Sequence, residues 1–253
     1  MEGYDARTYG ERIAGIYDEM YGELFDDEAA VARLAALARG GRVLELAIGT
    51  GRIALPLRQR GVDVTGIDIS ETMVNKLREK PGGADVPVVM GDFADVDVDG
   101  HFGLVFVVFN TLFALTTQDD QVRCFANVAR HLTDQGVFVV EAFVPDSTRF
   151  TRHQTVGVDW VETDRAQLEL SRHNPATQTV DTQHVVLRQG KPVEMYPVSI
   201  RYTYPSEMDL MARLAGLRLR NRWAGWDEEP FTSESYFHVS VYERATEHPA
   251  APR

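Results

Sequence analysis

The chain has 253 residues, 44% of them hydrophobic, which suits one α/β domain with an insertion and one large core. A formal net charge of −12 disfavours broad nucleic-acid binding, because an acidic surface repels a phosphate backbone. Cys124 is the only cysteine, which excludes an intrachain disulfide and a cysteine-based metal site.

Two helices are predicted before the first strand. Apolar residues from Ile13 to Tyr21 recur at helical spacing, and 25–41 carries an acidic start, an apolar stripe and two terminal glycines. From residue 42 onward, apolar runs typical of buried strands alternate with helical patterns. Such alternation predicts a parallel sheet covered on both faces, with ligands at the carboxyl ends of its strands. The predicted strands cover 42–47, 62–69, 86–92, 103–110 and 136–144, and helices follow at 52–60, after the capping residue Ser70 and around Phe125.

The pattern changes after Pro145. Residues 156–204 are rich in Thr, Val, Gln and Arg, with turn signals at "HNPAT" and "RQGKP", and predict three antiparallel strands. A helix capped by Ser206 and stopped by Gly216 follows, and then two final strands. We therefore expect one domain made of an N-terminal helical cap (1–40), a central core (41–145), an inserted antiparallel lobe (146–204), a C-terminal part of the core (205–245) and a frayed tail (246–253).

A glycine-containing loop follows the first predicted strand. Residues 49–54, "GTGRIA", satisfy a loose dinucleotide-binding pattern, and Asp68 closes the second strand where a ribose-binding acid would lie. A nicotinamide dinucleotide is therefore one open interpretation of this loop.

Three further features favour a different ligand. Glu45 lies inside the first strand, where a dinucleotide needs no acid but a ligand with a free α-ammonium would use one. Asp92 and Phe93 close the third strand, where a carboxylate and a backbone N–H can bind an adenine edge. The chain also lacks the Tyr-x-x-x-Lys pair of short-chain dehydrogenases.

Four segments, in order, resemble the successive motifs of class I S-adenosylmethionine-dependent methyltransferases: "ELAIGTG", "GIDIS", "MGDF" and "FNTLFAL". The resemblance runs from about residue 4 to 243 and implies a Rossmann-like, seven-stranded, mostly parallel sheet whose last strand is inserted antiparallel. Ala47 occupies the first glycine position of the usual motif. The Tyr17-Asp18 helix, the inserted strands and the acid after strand five are similar to actinomycete natural-product enzymes such as deoxyamino-sugar N-methyltransferases.

The resemblance implies S-adenosylmethionine as cofactor, with S-adenosylhomocysteine as its product. It implies that Gly49 and Gly51 admit the backbone close to the methionine portion. Glu45 would lie near the ammonium group and Asp68 would bind the ribose hydroxyls. The expected cofactor-binding set is Tyr17, Glu45, Ala47, Gly49, Gly51, Arg52, Asp68, Ile69, Met73, Gly91, Asp92, Phe93 and Asn110.

Three residues are candidates for the chemistry itself. Glu141, at the end of the fifth strand, is either a base or ammonium ligand, or a capping and ion-pairing residue. His238 is either a base or a packed histidine of the last strand. Tyr17 either closes over the methionine portion or packs in the core. No His/Asp/Glu cluster has metal-ligand spacing, so we expect no metal.

We expect methyl transfer from S-adenosylmethionine to nitrogen or oxygen of a small molecule in secondary metabolism, by in-line displacement. The alternatives are a non-methylating enzyme of the same fold, such as a cyclase, an NAD(P)-dependent reductase, and a non-catalytic binding module. We expect a small-molecule substrate, and neither nucleic acid nor membrane as partner. Without an apolar signal segment or membrane-spanning run, we expect a cytoplasmic protein. The lobe is expected to bury either the acceptor or a homodimer interface.

Overall fold

The computed structural model describes residues 1–21, 27–95 and 97–245, and the predicted tail at 246–253 lies outside them. Helices and strands are numbered here in chain order. The helices are α1 (Thr8–Ile13), α2 (Tyr17–Tyr21), α3 (Asp27–Ala38), α4 (Ala54–Gln59), α5 (Glu71–Glu79), α6 (Gln118–His131) and α7 (Pro205–Leu214). The strands are β1 (Val43–Leu46), β2 (Val64–Asp68), β3 (Val88–Met90), β4 (Phe102–Val107), β5 (Leu132–Phe143), β6 (Gln154–Val161), β7 (Arg165–Asn174), β8 (Thr179–Arg188), β9 (Glu194–Arg201), β10 (Leu217–Trp223) and β11 (Phe237–Arg244).

Seven strands form the main sheet in the order β10-β11-β5-β4-β1-β2-β3. Strand β11 lies between β10 and β5 and is antiparallel to both, while the pairs from β5 to β3 are parallel. This confirms the predicted fold, including the antiparallel insertion of the last strand.

The central strands of the main sheet are buried on both faces, which explains why they are rich in apolar residues. Every residue of β1 and β2 is buried. Val31 of α3 and Leu57 of α4 pack in the cluster on one face, while Phe125 of α6 and Met208 of α7 pack in the cluster on the other. The carboxyl ends of the parallel strands are therefore left as the place for a ligand.

The predicted continuous helix from Ile13 to Tyr21 is interrupted. The chain turns at Ala14–Ile16, where Ile16 N–H donates to Ile13 C=O at 2.9 Å, and Gly15 adds no side chain that would favour continuing the helix. The resulting N-terminal segment (residues 1–21) packs against Met73 of α5 and against the lobe.

The lobe has four antiparallel strands, in the order β6-β7-β8-β9, and not the predicted three. The β6–β7 turn, Glu162–Asp164, contains neither glycine nor proline, so no turn signal separates these two strands in the sequence. The start of helix α7 also differs from the prediction that Ser206 caps it. Pro205 occupies the first turn, and no side chain caps the helix.

A buried polar network fixes the lobe to the main sheet. Arg201, at the end of β9, donates to Glu207 of α7 at 2.7 Å and to Gln121 of α6 at 2.5 Å. Arg201 is only 5% exposed, so loss of either partner would leave a buried charge poorly compensated. The lobe therefore has a defined orientation above the strand ends.

No helix among the described residues is long and apolar enough to cross a bilayer. The same residues contain no group of three or more His, Cys, Asp or Glu side chains positioned to hold a metal ion.

Candidate active site

A cavity of about 390 Å³ lies at the carboxyl ends of the main-sheet strands. Its floor is the loop after β1 together with the ends of β2 and β4, the N-terminal segment covers it, and strands β7 to β9 of the lobe wall its far side. This volume is in the range of small-molecule sites.

The loop after β1 and the end of β2 are joined through one carboxylate. Asp68 accepts hydrogen bonds from Gly49 N–H at 2.7 Å and from Ser70 N–H at 2.8 Å. Asp68 is 6% exposed, and burial raises its pKa although these backbone donors act in the opposite direction. Gly49 has φ +56° and Ala47 also has φ +56°, so the motif's alanine adopts a backbone conformation that favours glycine.

Gly51 is closely packed against two leucine side chains. A Cβ at this position would lie 2.2 Å from Leu77 Cδ1 and 3.2 Å from Leu55 Cγ, and Gly51 does not line the cavity. The residue must be glycine because α5 packs against the loop there, and because its φ is +78°. The close approach to the cavity is made by Gly49.

Glu45 lines the cavity and is 4% exposed. Its Oε2 is buried and has no hydrogen-bond partner among the described residues. Burial raises the pKa of Glu45 well above its usual range, and the nearby Asp68 carboxylate adds to this rise. A buried carboxylate oxygen without a donor is poised for a ligand N–H.

The end of β4 adds a left-handed turn at Phe109 and Asn110, with φ of +56° and +64°. Asn110 Oδ1 accepts from Phe143 N–H at 2.7 Å, which joins this turn to the end of β5. The guanidinium of Arg52 lies over the Phe109 ring, 4.0 Å from its centroid. All four side chains line the cavity.

The N-terminal segment is attached to the floor by charged and polar contacts. Thr50 Oγ1 donates to Asp18 Oδ1 at 2.7 Å, and Lys80 Nζ lies 2.7 Å from Asp18 Oδ2. Tyr17 and Tyr21 line the cavity with ring centroids 5.1 Å apart, and burial raises the pKa of Tyr17 to about 12. Tyr17 therefore packs within the N-terminal segment and also lines the cavity.

The structure brings together most of the residues expected from the sequence. The cavity-lining members are Tyr17, Glu45, Ala47, Gly49, Arg52, Asp68, Ile69, Met73, Phe93 and Asn110. Five others do not line it: Gly51, Gly91, Asp92, Glu141 and His238. Asp92 accepts from Ala94 N–H at 2.9 Å, so its carboxylate stabilises the turn after β3.

Glu141 is engaged in structural hydrogen bonds. Its Oε2 accepts from Phe109 N–H at 3.0 Å, and its Oε1 accepts from the Trp226 indole N–H at 2.7 Å. The carboxylate therefore fixes the left-handed turn after β4, which is the capping role of the two considered.

His238 is fully buried away from the cavity. Its Nδ1 lies 2.8 Å from Ser240 Oγ, and its ring meets Phe231 edge-on with centroids 6.3 Å apart. Burial, with the nearby charge of Arg222, lowers the pKa of His238 to about 3. The imidazole is therefore neutral and enclosed, which agrees with the alternative of a packed histidine. It does not face the cavity, where a base would have to lie.

Sequence reasoning did not find the far wall of the cavity. Glu169 of β7 and Thr182 and His184 of β8 face inward, and Arg149 lies beside Glu169 at 3.5 Å. Alternation predicts that 180, 182 and 184 share one face of a strand, but the sequence does not say which face meets the cavity.

Comparison with known proteins identifies the family. A family model described as a methyltransferase domain matches residues 43–136, which include the loop after β1, Asp68 and Phe93. The fold is similar to that of the CcbJ methyltransferase from Streptomyces caelestis, with a TM-score of 0.88 and 40% identity covering 96% of this chain and 100% of that chain. The chain belongs to the class I S-adenosylmethionine-dependent methyltransferases.

Two relatives of this methyltransferase extend the comparison. The cypemycin N-terminal methyltransferase of a Streptomyces species is 29% identical over 248 residues, which is 95% of this chain and 99% of that enzyme. A dTDP-4-amino-2,3,4,6-tetradeoxy-D-glucose N,N-dimethyltransferase of Saccharopolyspora spinosa is 31% identical over 141 residues, which is 53% of this chain and 55% of that enzyme. The cofactor of this methyltransferase is S-adenosylmethionine, and its reaction is methyl transfer to a small-molecule acceptor.

Proposed function

We propose that this methyltransferase methylates an amine nitrogen of a small natural product. The observation that carries the proposal is the far wall of the cavity, where Glu169 and His184 face the space beyond the cofactor-binding floor. A carboxylate binds an ammonium group and an imidazole accepts its proton, so this wall suits an amine. The two relatives compared above are named for methylation of an N-terminus and of an amino sugar, and both acceptors are amines.

The residues of the cavity floor fit the cofactor. The unpartnered Oε2 of Glu45 suits the α-ammonium group, and Asp68, already held by two backbone donors, suits the ribose hydroxyls. Gly49 leaves the loop without a side chain where the ligand must approach closely, and Phe93 offers an apolar surface for the adenine. When bound, S-adenosylmethionine supplies a methyl group that is already activated by its positively charged sulfur.

Catalysis on this proposal is largely positioning and exclusion of water. Tyr17 and Tyr21 cover the cavity from the N-terminal segment, and Asp18 holds that segment to the floor. A covered cavity orients the acceptor and keeps bulk water away from the reacting groups. We also propose that the acceptor is not a nucleic acid, in keeping with the net charge of −12, and that the enzyme is cytoplasmic.

A transfer assay with matched acceptor pairs tests this function. The enzyme is incubated with methyl-labelled S-adenosylmethionine and benzylamine, aniline, glucosamine or prolinamide, and labelled products are detected by mass spectrometry. Benzyl alcohol, phenol and glucose are the oxygen counterparts. We expect N-methylated products from the amines only. Labelled ethers without labelled amines, or no labelled product while S-adenosylhomocysteine binds, would contradict the proposal.

A further inference from the structure

Strand β6, at the edge of the lobe sheet, contains a bulge. The pairing of β6 with β7 shifts between Val158 and Trp160, so Asp159 is an extra residue without a cross-strand partner of its own. A bulge re-aims side chains, and such irregularities are common next to active sites. Asp159 is partly exposed and does not line the cavity; its Oδ2 accepts from Gln167 Nε2 of β7 at 2.6 Å and lies 3.5 Å from Nδ1 of His184 on β8.

His184 is placed between this carboxylate and the cavity. Its side chain is 16% exposed and lines the cavity, while its Nδ1 is buried without a hydrogen-bond partner among the described residues. Because the two ring nitrogens lie on opposite sides of an imidazole, a proton on Nδ1 facing Asp159 leaves the Nε2 lone pair free to accept another. The carboxylate would then stabilise the imidazolium.

Glu169 completes this wall. It is the direct cross-strand partner of His184, and directly opposed side chains on one face have Cβ atoms about 4.5–5.5 Å apart. Glu169 and His184 line the cavity, and these two residues with Asp159 behind them are named here the acceptor wall. Tyr21 faces it from the N-terminal segment, since the charges of Asp159 and Glu169 add to the effect of burial on its pKa. Tyr196 of β9 lies opposite His184 on its other side.

We propose that His184 is the proton acceptor of the reaction, that Asp159 orients it, and that Glu169 binds the same amine. This inference rests on the proposed N-methylation. The acceptor ammonium loses a proton to Nε2 of His184, and its lone pair then forms the nitrogen–carbon bond as the sulfur–carbon bond breaks. The sulfur leaves as a neutral thioether, the product nitrogen carries the positive charge, and His184 returns its proton to solvent.

The kinetic test compares His184→Gln with the matched exposed control His101→Gln. For benzylamine, which is protonated at neutral pH, we expect His184→Gln to lower kcat by about 10²–10⁴-fold. For aniline, which is neutral at that pH, we expect a much smaller loss. His101→Gln should change neither rate, and the Kd for S-adenosylhomocysteine should stay within about twofold in both variants.

Two companion variants separate the other roles. Asp159→Asn should lower kcat for benzylamine by about tenfold, because the imidazolium loses its counter-charge. Glu169→Gln should raise KM for benzylamine more than it lowers kcat. A loss of equal size for both amines in His184→Gln, or kcat within threefold of wild type, would overturn the base role.

A second measurement needs no acceptor. In ¹⁵N-histidine NMR spectra of the complex with S-adenosylhomocysteine, the His184 signals, identified by their absence in His184→Gln, should show a proton on Nδ1 at neutral pH. A neutral ring protonated on Nε2 would overturn the inference. If the wild-type enzyme methylates no amine, both the proposed function and this inference are wrong. If the wild-type enzyme and His184→Gln are equally active, only this inference is wrong.

Discussion

Replacing Gly51 by alanine destabilises the methyltransferase through two separable effects. Gly51 has φ +78°, a left-handed conformation that costs a residue with a Cβ about 1–2 kcal/mol. Alanine also makes the unfolded chain less flexible, which stabilises the folded protein by about 0.4–1 kcal/mol and offsets part of that cost. The new Cβ would also lie 2.2 Å from Cδ1 of Leu77, a side chain that is fully buried. Overpacking of this kind costs about 1–3 kcal/mol.

The sum is a loss of about 3 kcal/mol, which lowers Tm by roughly 6–12 °C in a protein of this size. Gly61→Ala is the matched control, because Gly61 has φ +79° and none of the described atoms lies within 4 Å of the Cβ position. The control should lose only about 0.5–1 kcal/mol. Calorimetric and urea unfolding of both variants measure the difference. If the two losses agree within 0.5 kcal/mol, about the limit for distinguishing separate effects, the close packing of α5 on the loop is not what requires glycine at 51.

Four further outcomes are expected. Asp68→Ala leaves two backbone donors of the cavity floor without an acceptor. Calorimetry should therefore show at least about tenfold weaker binding of S-adenosylhomocysteine, and urea unfolding should show a free energy of unfolding lower by about 2 kcal/mol. Unchanged binding would show that Asp68 is not part of the cofactor site. Glu141→Gln should keep kcat within about tenfold while lowering stability by about 1 kcal/mol, and a kcat loss beyond about a hundredfold would restore a base role. Asp18→Ala should speed proteolysis of the N-terminal segment even with saturating S-adenosylhomocysteine, and cleavage at the wild-type rate would show that this attachment does not hold the segment. The pKa of His238 is lowered to about 3, so the unfolded chain binds a proton below about pH 6.5 that the folded protein does not. His238 should therefore contribute up to about 1.4 kcal/mol per pH unit to the loss of stability towards acid pH, and His238→Asn should make the measured slope shallower by about that amount. An equal slope in both proteins would contradict this.

The main sheet and the cavity floor could be predicted because their signals are local. Buried parallel strands are continuous apolar runs, and the residues that line the floor, such as Glu45, Gly49 and Asp68, lie at strand ends fixed by the same runs. Their side chains converge because the strands are parallel, which brings all the carboxyl ends to one edge.

The remaining residues depend on contacts between distant parts of the chain. The close packing at Gly51 involves Leu77, and Glu141 accepts hydrogen bonds from Phe109 and Trp226. The contact of Asp159 with His184 depends on a register shift between two strands, which a period-two pattern does not reveal. Side chains on the lobe could be assigned to alternate faces, but not to the face that meets the cavity.

The main sheet and the four-stranded sheet of the lobe share no strand, although both contribute to one cavity. Substitutions on the face of β8 that lines the cavity therefore need not alter the hydrogen bond between Gly49 and Asp68. The network around Arg201 keeps the lobe in place while such changes occur. If the lobe binds the acceptor as proposed, a change of acceptor needs substitutions in one sheet only, and the binding site for the methyl donor on the other sheet stays the same.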